Sequence, residues 1–197
     1  MKLPANFDDV PESDGDLQKP PPGSYICKVV RVQYTNAKSG RPMLVIDFDI
    51  DHGPFAGFFA RDNDDRSDKN LDQKWIRLYQ LVDGTALGRF KKLLKDFERS
   101  NDDFSIAKYT DTKTNFFDEQ SLVNRRVGLV CDGEEYTYND RVFMSLHPTR
   151  SRSSEKVEKG EVPKPRIKGV DGTWRDADQR SPPLTKLEHV DDIEIPF

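Results

Sequence analysis

The stretch Pro42–Asp51 constrains the fold more than any other part of this 197-residue chain. Leu44, Ile46, Phe48 and Ile50 alternate there with Asp47, Asp49 and Asp51. A period of two puts the apolar side chains on one face of a strand and the carboxylates on the other. A helix would scatter both sets around its axis. The run Ser24–Tyr34 ahead of it is rich in Tyr, Ile and Val and reads as a second strand. Residues 36–40, Asn-Ala-Lys-Ser-Gly, form a turn, so the two strands make a long hairpin. Its register is open, and a slip of one residue would exchange the faces of one strand.

Other elements follow from local pattern. Residues 1–22 hold five acids, two lysines, Pro4, Pro11 and the run Pro20, Pro21, Pro22, and are expected to be a disordered acidic arm, with Phe7 and Val10 docking locally. His52, Gly53 and Pro54 make a turn. Phe55–Arg61 is expected to be a third strand, with Gly57 at a bulge or close approach. Residues 62–74 are a polar excursion, and Trp75–Leu81 resumes as a strand, a helix being the competing reading. From Ala86 to Ser100, Leu87, Phe90, Leu93, Leu94 and Phe97 recur at helical spacing, and Asp83 or Thr85 is placed to cap the helix. Residues 101–120 read as a loop with local packing from Phe104, Phe116 and Phe117. Val127–Cys131 is a strand, Gly133 is expected to begin a turn, and Arg141–His147 is the last strand. After Pro148 the chain becomes polar, and residues 151–190 are expected to be a flexible linker. Trp174 is out of place in such a linker, and docking on the body would account for it.

Strands, one helix and two further strands predict an all-β fold with one helix: an OB-fold-like five-stranded Greek-key barrel over residues 23–150, flanked by the acidic arm and a C-terminal tail. Another Greek-key barrel or an α+β sandwich would give a similar string. Apolar residues make up 35% of the chain and charged ones 34%, enough for one modest core but not for a chain folded end to end. No apolar run approaches membrane-spanning length, so a cytosolic protein without membrane contact is expected. Cys27 and Cys131 lie in strand-like runs and are expected to be reduced core residues.

A net charge of −4 argues against coating nucleic acid by bulk charge. The acidity, however, sits in the ends. Residues 1–22 and 181–197 each sum to −3, residues 23–150 balance twenty cations against twenty acids, and residues 151–180 sum to +2. A neutral body presents a basic groove if its charges are sorted by face. Unpaired strands are held by cations along the phosphates and by flat rings under the bases. The candidates for those roles are Lys28, Arg31, Tyr34, Lys38 and Arg41 in the first hairpin, Trp75, Arg77 and Tyr79 in the middle, and Arg126, Tyr136 and Tyr138 near the end. Phe58, Arg61, Lys74, Arg125 and Arg141 are secondary, Phe58 reading better as core. Arg89, Lys91, Lys92 and Lys95 read as a solvated helix face.

Three carboxylates on one strand suggest a Mg²⁺ site for a nuclease. An outward face paired with cations such as Lys28 is the better reading, because no further carboxylate, Lys or His stands out near it. His52, His147 and His189 are scattered, with no partnered nucleophile. No glycine-rich phosphate motif is present. A non-enzymatic protein without cofactor is expected.

Residues 191–197 read Asp-Asp-Ile-Glu-Ile-Pro-Phe. Solubility alone does not call for a terminal aromatic. Asp191, Asp192, Glu194, Ile195, Pro196 and Phe197 suit a partner with an apolar pocket ringed by basic groups. This tip resembles the C-terminal tip of bacterial single-stranded DNA-binding proteins, an acidic run ending in Ile-Pro-Phe. The body carries a second resemblance over roughly residues 20–150, in Gly23-Ser24-Tyr25, residues 39–44 (Ser-Gly-Arg-Pro-Met-Leu), residues 53–57 (Gly-Pro-Phe-Ala-Gly), Lys74-Trp75, residues 88–91 (Gly-Arg-Phe-Lys) and Glu134-Glu135-Tyr136. It is similar to a family of phage proteins that bind single-stranded DNA. The resemblance implies an OB-type fold, a role in phage replication or recombination in the cytoplasm of an infected bacterium, single-stranded DNA as ligand, and replication or recombination proteins held by the tip. Homo-oligomerisation stays open. The rival reading is a protein–protein adaptor.

Overall fold

The alternation around Phe48 is realised in a hairpin of two strands, β1 (Gly23–Asn36) and β2 (Pro42–Ile50). The computed structural model describes residues 19–64, 74–139 and 141–178. Register is settled by a bulge between Val29 and Arg31. The extra residue, Val30, lets Val29 and Val32 both face inward while Arg31 faces out opposite Asp47. β3 (Ile76–Leu81) pairs antiparallel with β2, setting Ile76 against Phe48 and Leu78 against Ile46 on the inner face. β4 (Arg126–Tyr138) lies on the other side of β1, and β5 (Arg141–Arg152) pairs with β4. Two short strands, β6 (Arg166–Lys168) and β7 (Trp174–Asp176), extend the sheet beyond the start of β1, with β6 parallel to β4 at Gly133 and Glu134. The sheet order is β3-β2-β1-β4-β6-β7 with β5 branching from β4, and the sheet is not closed.

The fold is mostly β, with three α-helices among the described residues: α1 (Phe58–Asp64), α2 (Leu87–Ser100) and α3 (Ser154–Glu158). The stripe on α2 sinks Leu93, Leu94 and Phe97 into a core shared with Val29, Ile46, Phe48, Ile76, Leu122 and Leu129. Each such side chain stabilises the fold by about 1.5–3 kcal/mol. Cys27 and Cys131 are free thiols buried in this core, as their strand context implies. No helix among the described residues is long and apolar enough to cross a membrane.

Four expectations need correction. The strand expected over Phe55–Arg61 is instead a turn leading into α1. Gly57 turns the chain at a φ of 69°. The Asp49 carboxylate then accepts the backbone N–H groups of Phe59 and Ala60, both at 3.1 Å. A cap supplied from β2 outweighs the local strand preference of two phenylalanines. The place beside β2 goes to β3.

Gly133 begins no turn. It lies inside β4, where a Cβ would come within 2.6 Å of Pro22 and 2.9 Å of Met144. Pro148 does not end β5, which continues to Arg152; a missing N–H is tolerated on a strand whose far edge carries no partner strand among the described residues. Residues 151–178, expected as linker, are built into the fold. α3 packs over Gly128, Ile167 is buried, and Asp132 accepts the Arg166 N–H at 2.8 Å.

Smaller differences follow the same logic. Asp83 does not cap α2; it holds Arg41, and the helix is entered through a 3-10 turn at Gly84–Ala86. In the loop 101–120, Phe104 is buried and stacks on Tyr109, Phe117 packs at the core's edge, and Phe116 is exposed. The end of the acidic arm is docked: Pro20 is buried, and the Tyr25 hydroxyl donates to the Pro21 carbonyl. The rest of the arm lies outside the described residues, as do residues 179–190 and the tip Asp191–Phe197.

Candidate functional site

Among the described residues, β3 and β5 are the edges left open by the order β3-β2-β1-β4-β5. They approach within 8 Å between Cα atoms, yet no ladder joins them. Two grooves open along this seam. The first, of about 500 Å³, lies between Lys74, Trp75, Arg77 and Tyr79 on one side and Tyr136, Met144, Leu146 and His147 on the other, with Phe58 and Phe59 of α1 against it. The second, of about 690 Å³, is bounded by Leu78, Tyr79 and Gln80, by Arg89 and Lys92 of α2, and by residues 148–152 of β5 with Arg166. Tyr79 lines both and is 61% exposed.

The first groove unites Trp75, Arg77, Tyr79 and Tyr136 of the sequence candidates. Arg31 joins them through Asp47. The registers Arg31↔Asp47 and Asp47↔Arg77 place a carboxylate between two guanidiniums on the outer face. Arg31 donates to Asp47 Oδ2 at 2.9 and 2.6 Å, and Arg77 to Oδ1 at 2.6 Å and Oδ2 at 3.2 Å. Hydrogen bonding to Asp47 raises the Arg77 pKa above its ordinary value, so this cation is permanent. Asp47 is buried while both arginines stay partly exposed, so the cluster presents positive charge to solvent.

The other candidates fall elsewhere. Tyr34 and Lys38 are exposed at the far end of the first hairpin, and Arg41 is tied to Asp83 at 2.6 Å. Lys28 is exposed opposite Arg126, which pairs with Asp51 at 2.7 Å. Tyr138 is exposed beyond Tyr136, both against Phe143. Of the secondary residues, Phe58 is buried, and Arg125 pairs with Asp103. The two aspartates of β2 and the one just after it all have protein partners: Asp47 takes two arginines, Asp49 caps α1, and Asp51 lies in ion-pair distance of Arg126 and His52. Among the described residues no group of three or more His, Cys, Asp or Glu is arranged to hold a metal ion.

The second groove is the part that sequence reasoning missed. Its walls carry Arg89, Lys92, Arg150, Arg152 and Arg166 against one carboxylate, Asp132. Arg89 and Lys92 looked like a solvated helix face, and the three β5–β6 cations lay near or beyond the expected end of the domain. The excess of cations in residues 151–180 was the available signal. Fixed hydrogen bonds hold these groups in place. Lys92 donates to Asp96 at 2.5 Å and to the Ser151 carbonyl at 3.0 Å, and the Ser151 hydroxyl donates to Asp96 at 2.7 Å. Asp132, almost fully buried, lies 3.4 Å from Arg150 and 3.8 Å from Arg166. One carboxylate shared by two guanidiniums leaves a net positive wall.

Residues 5–116 match the model of a family described as a protein of unknown function (DUF669). The chain belongs to the DUF669 family. No curated protein matches it. In this DUF669 member the matched segment contains β1, β2, β3, α1 and α2, and with them Arg31, Asp47, Trp75, Arg77, Tyr79, Arg89 and Lys92. The opposite wall, from β4 and β5, lies after it.

Proposed function

We propose that this protein binds single-stranded DNA along the seam between β3 and β5 and does not alter it chemically. The reading takes the order β3-β2-β1-β4-β5, with α2 between β3 and β4 in the chain, as an OB-fold-like barrel left open at that seam. One observation carries it. Tyr79, a largely exposed ring, stands between a groove holding Trp75, Arg77 and Tyr136 and a groove holding five cations against Asp132 and the Asp96 paired to Lys92. Rings offer stacking that any base satisfies, and cations track a backbone without reading sequence. Duplex DNA fits this arrangement poorly, since its bases are already stacked. In the same proposal the tip Asp191–Phe197 recruits replication or recombination enzymes. Tethering in the same chain then converts a weak contact into a local concentration.

Fluorescence anisotropy with labelled oligo-dT, duplex DNA and RNA tests the reading. Tight binding to oligo-dT that weakens with salt is expected, each phosphate contact adding about 0.7 to the log–log slope. Tyr79→Ala should lower affinity by about 5- to 150-fold, the range of one stacked base. Its melting temperature should stay unchanged, because the ring is mostly in solvent. No binding of oligo-dT at low salt by the unsubstituted protein ends the proposal and leaves the adaptor reading.

A further inference from the structure

Trp174 is half exposed on a hairpin that the hydrophobic effect does little to hold. β6 and β7 contribute three residues each, and Ile167 is the buried hydrophobic residue there. Polar contacts with β4 fix the hairpin instead. Asp132 accepts the Arg166 N–H, Lys168 pairs with Glu134 at 2.9 Å, and Arg175 pairs with Glu135. The connecting turn is ordered as well: Asp171 accepts from the Thr173 N–H at 2.9 Å and its hydroxyl at 2.7 Å, and Gly172 adopts a φ of 81°. A half-exposed tryptophan on a rigid, polar-anchored hairpin gains little from packing.

Its ring contact with Arg166 points toward the basic groove. The Arg166 guanidinium lies 4.6 Å from the centre of the Trp174 ring, and Arg166 also lines the groove with Arg150 and Arg152. Resting on that single-stranded DNA reading, we infer that Trp174 and Arg166 form a second stacking platform for nucleic-acid bases, in continuity with the groove on the side of Tyr79 away from Trp75. The occupant is a flexible polyanion with planar groups. The cations select the charge, and the ring selects flat bases over a peptide acid. A docked hairpin lengthens the track beyond the five-stranded part of the sheet. The platform should therefore matter for long strands and not for short ones.

The test is affinity for oligo-dT of increasing length, from about 4 to 20 nucleotides, spanning the range of site sizes known for such folds. The full-length protein is compared with its Trp174→Ala, Trp174→Phe and Trp174→Leu variants. On the long oligomers, Trp174→Ala and Trp174→Leu should bind about 5- to 150-fold more weakly, and Trp174→Phe should retain most of the affinity. On the shortest oligomers that bind measurably, all four proteins should agree. Equal affinity of the alanine variant and the unsubstituted protein at every length overturns the inference while leaving the parent reading intact. So does a leucine variant that binds as well as the phenylalanine one, because bulk without a flat ring would then suffice. Failure of the unsubstituted protein to bind any oligomer overturns the parent reading, and this inference with it.

Discussion

Replacing Asp47 with Asn tests the cluster on which the first groove depends. Asp47 sits on β2 between Arg31 of β1 and Arg77 of β3, and its side chain is 1% exposed against 48% and 32% for the arginines. An amide keeps the shape but loses the charge and turns one acceptor into a donor aimed at guanidinium N–H groups. Four contacts of 2.6–3.2 Å are affected. Breaking a fully buried pair costs about 3–5 kcal/mol, because the surviving charge is stranded. Here the surviving charges reach water, so part of that cost is recovered and a loss of about 2 kcal/mol is expected. For a chain of this size that lowers the melting temperature by about 4–8 °C. Urea and thermal denaturation measure it directly, and a loss below about 0.5 kcal/mol, as for an ordinary surface substitution, would refute the reasoning. DNA binding gives a second test by sign. Deleting an acid near a polyanion tightens binding if charge alone matters. If Asp47 is a positioning residue that holds Arg77 at the groove, Asp47→Asn weakens binding despite the added positive charge, and tighter binding rules that role out.

Four further outcomes are expected. Gly128→Ala places a Cβ within 2.4 Å of Val157 and 3.0 Å of the Arg152 carbonyl, so α3 must lift; limited proteolysis should cut between residues 152 and 160, and overall stability should fall by about 1–3 kcal/mol. Burial pushes the Cys131 thiol up to about 12 and raises that of Cys27 as well, so both should resist a thiol reagent at pH 8 until the protein is unfolded. Because folding raises these pKa values, the stability they contribute is complete below the ordinary thiol value and is lost as pH rises toward 12; urea midpoints against pH should fall less steeply in a Cys27→Ala, Cys131→Ala variant, with Tyr25, Lys159 and Lys164, whose pKa values folding also raises, contributing to what remains. Replacing Arg89 and Arg152 together by Gln should reduce the salt slope of oligo-dT binding by about 1.4, whereas an unchanged slope would place the phosphates elsewhere.

Legibility of the site divided along the same lines as legibility of the fold. Trp75, Arg77, Tyr79 and Tyr136 were identifiable because they are rings and a cation set among charged or polar neighbours on strand-like runs. Their convergence was not, since it requires β3 and β5, some sixty residues apart in sequence, to face one another. The second groove was hidden for a different reason. Arg89 and Lys92 have the spacing of a solvent-facing helix surface, and only the docking of β5 turns that surface into a wall. Lys28, Lys38 and Arg126 have the right chemistry but end on other parts of the surface, or, for Arg126, in an ion pair with Asp51.

By itself the sequence determined whatever depends on period and composition: the β1–β2 hairpin, the amphipathic α2, β3, and the burial of two unpaired thiols. Periodicity suffices there because one face of each element must leave water whatever it packs against. Tertiary structure alone decided the rest. Phe58–Asp64 became a helix because a carboxylate ten residues upstream supplied its first N–H partners. Residues 166–176 joined the sheet because Asp132, Glu134 and Glu135 offered charges across β4, a match between partners some thirty to forty residues apart. Such contacts have no local signature. They stabilise an element only once the chain has brought both partners together, and that closure is a property of the fold.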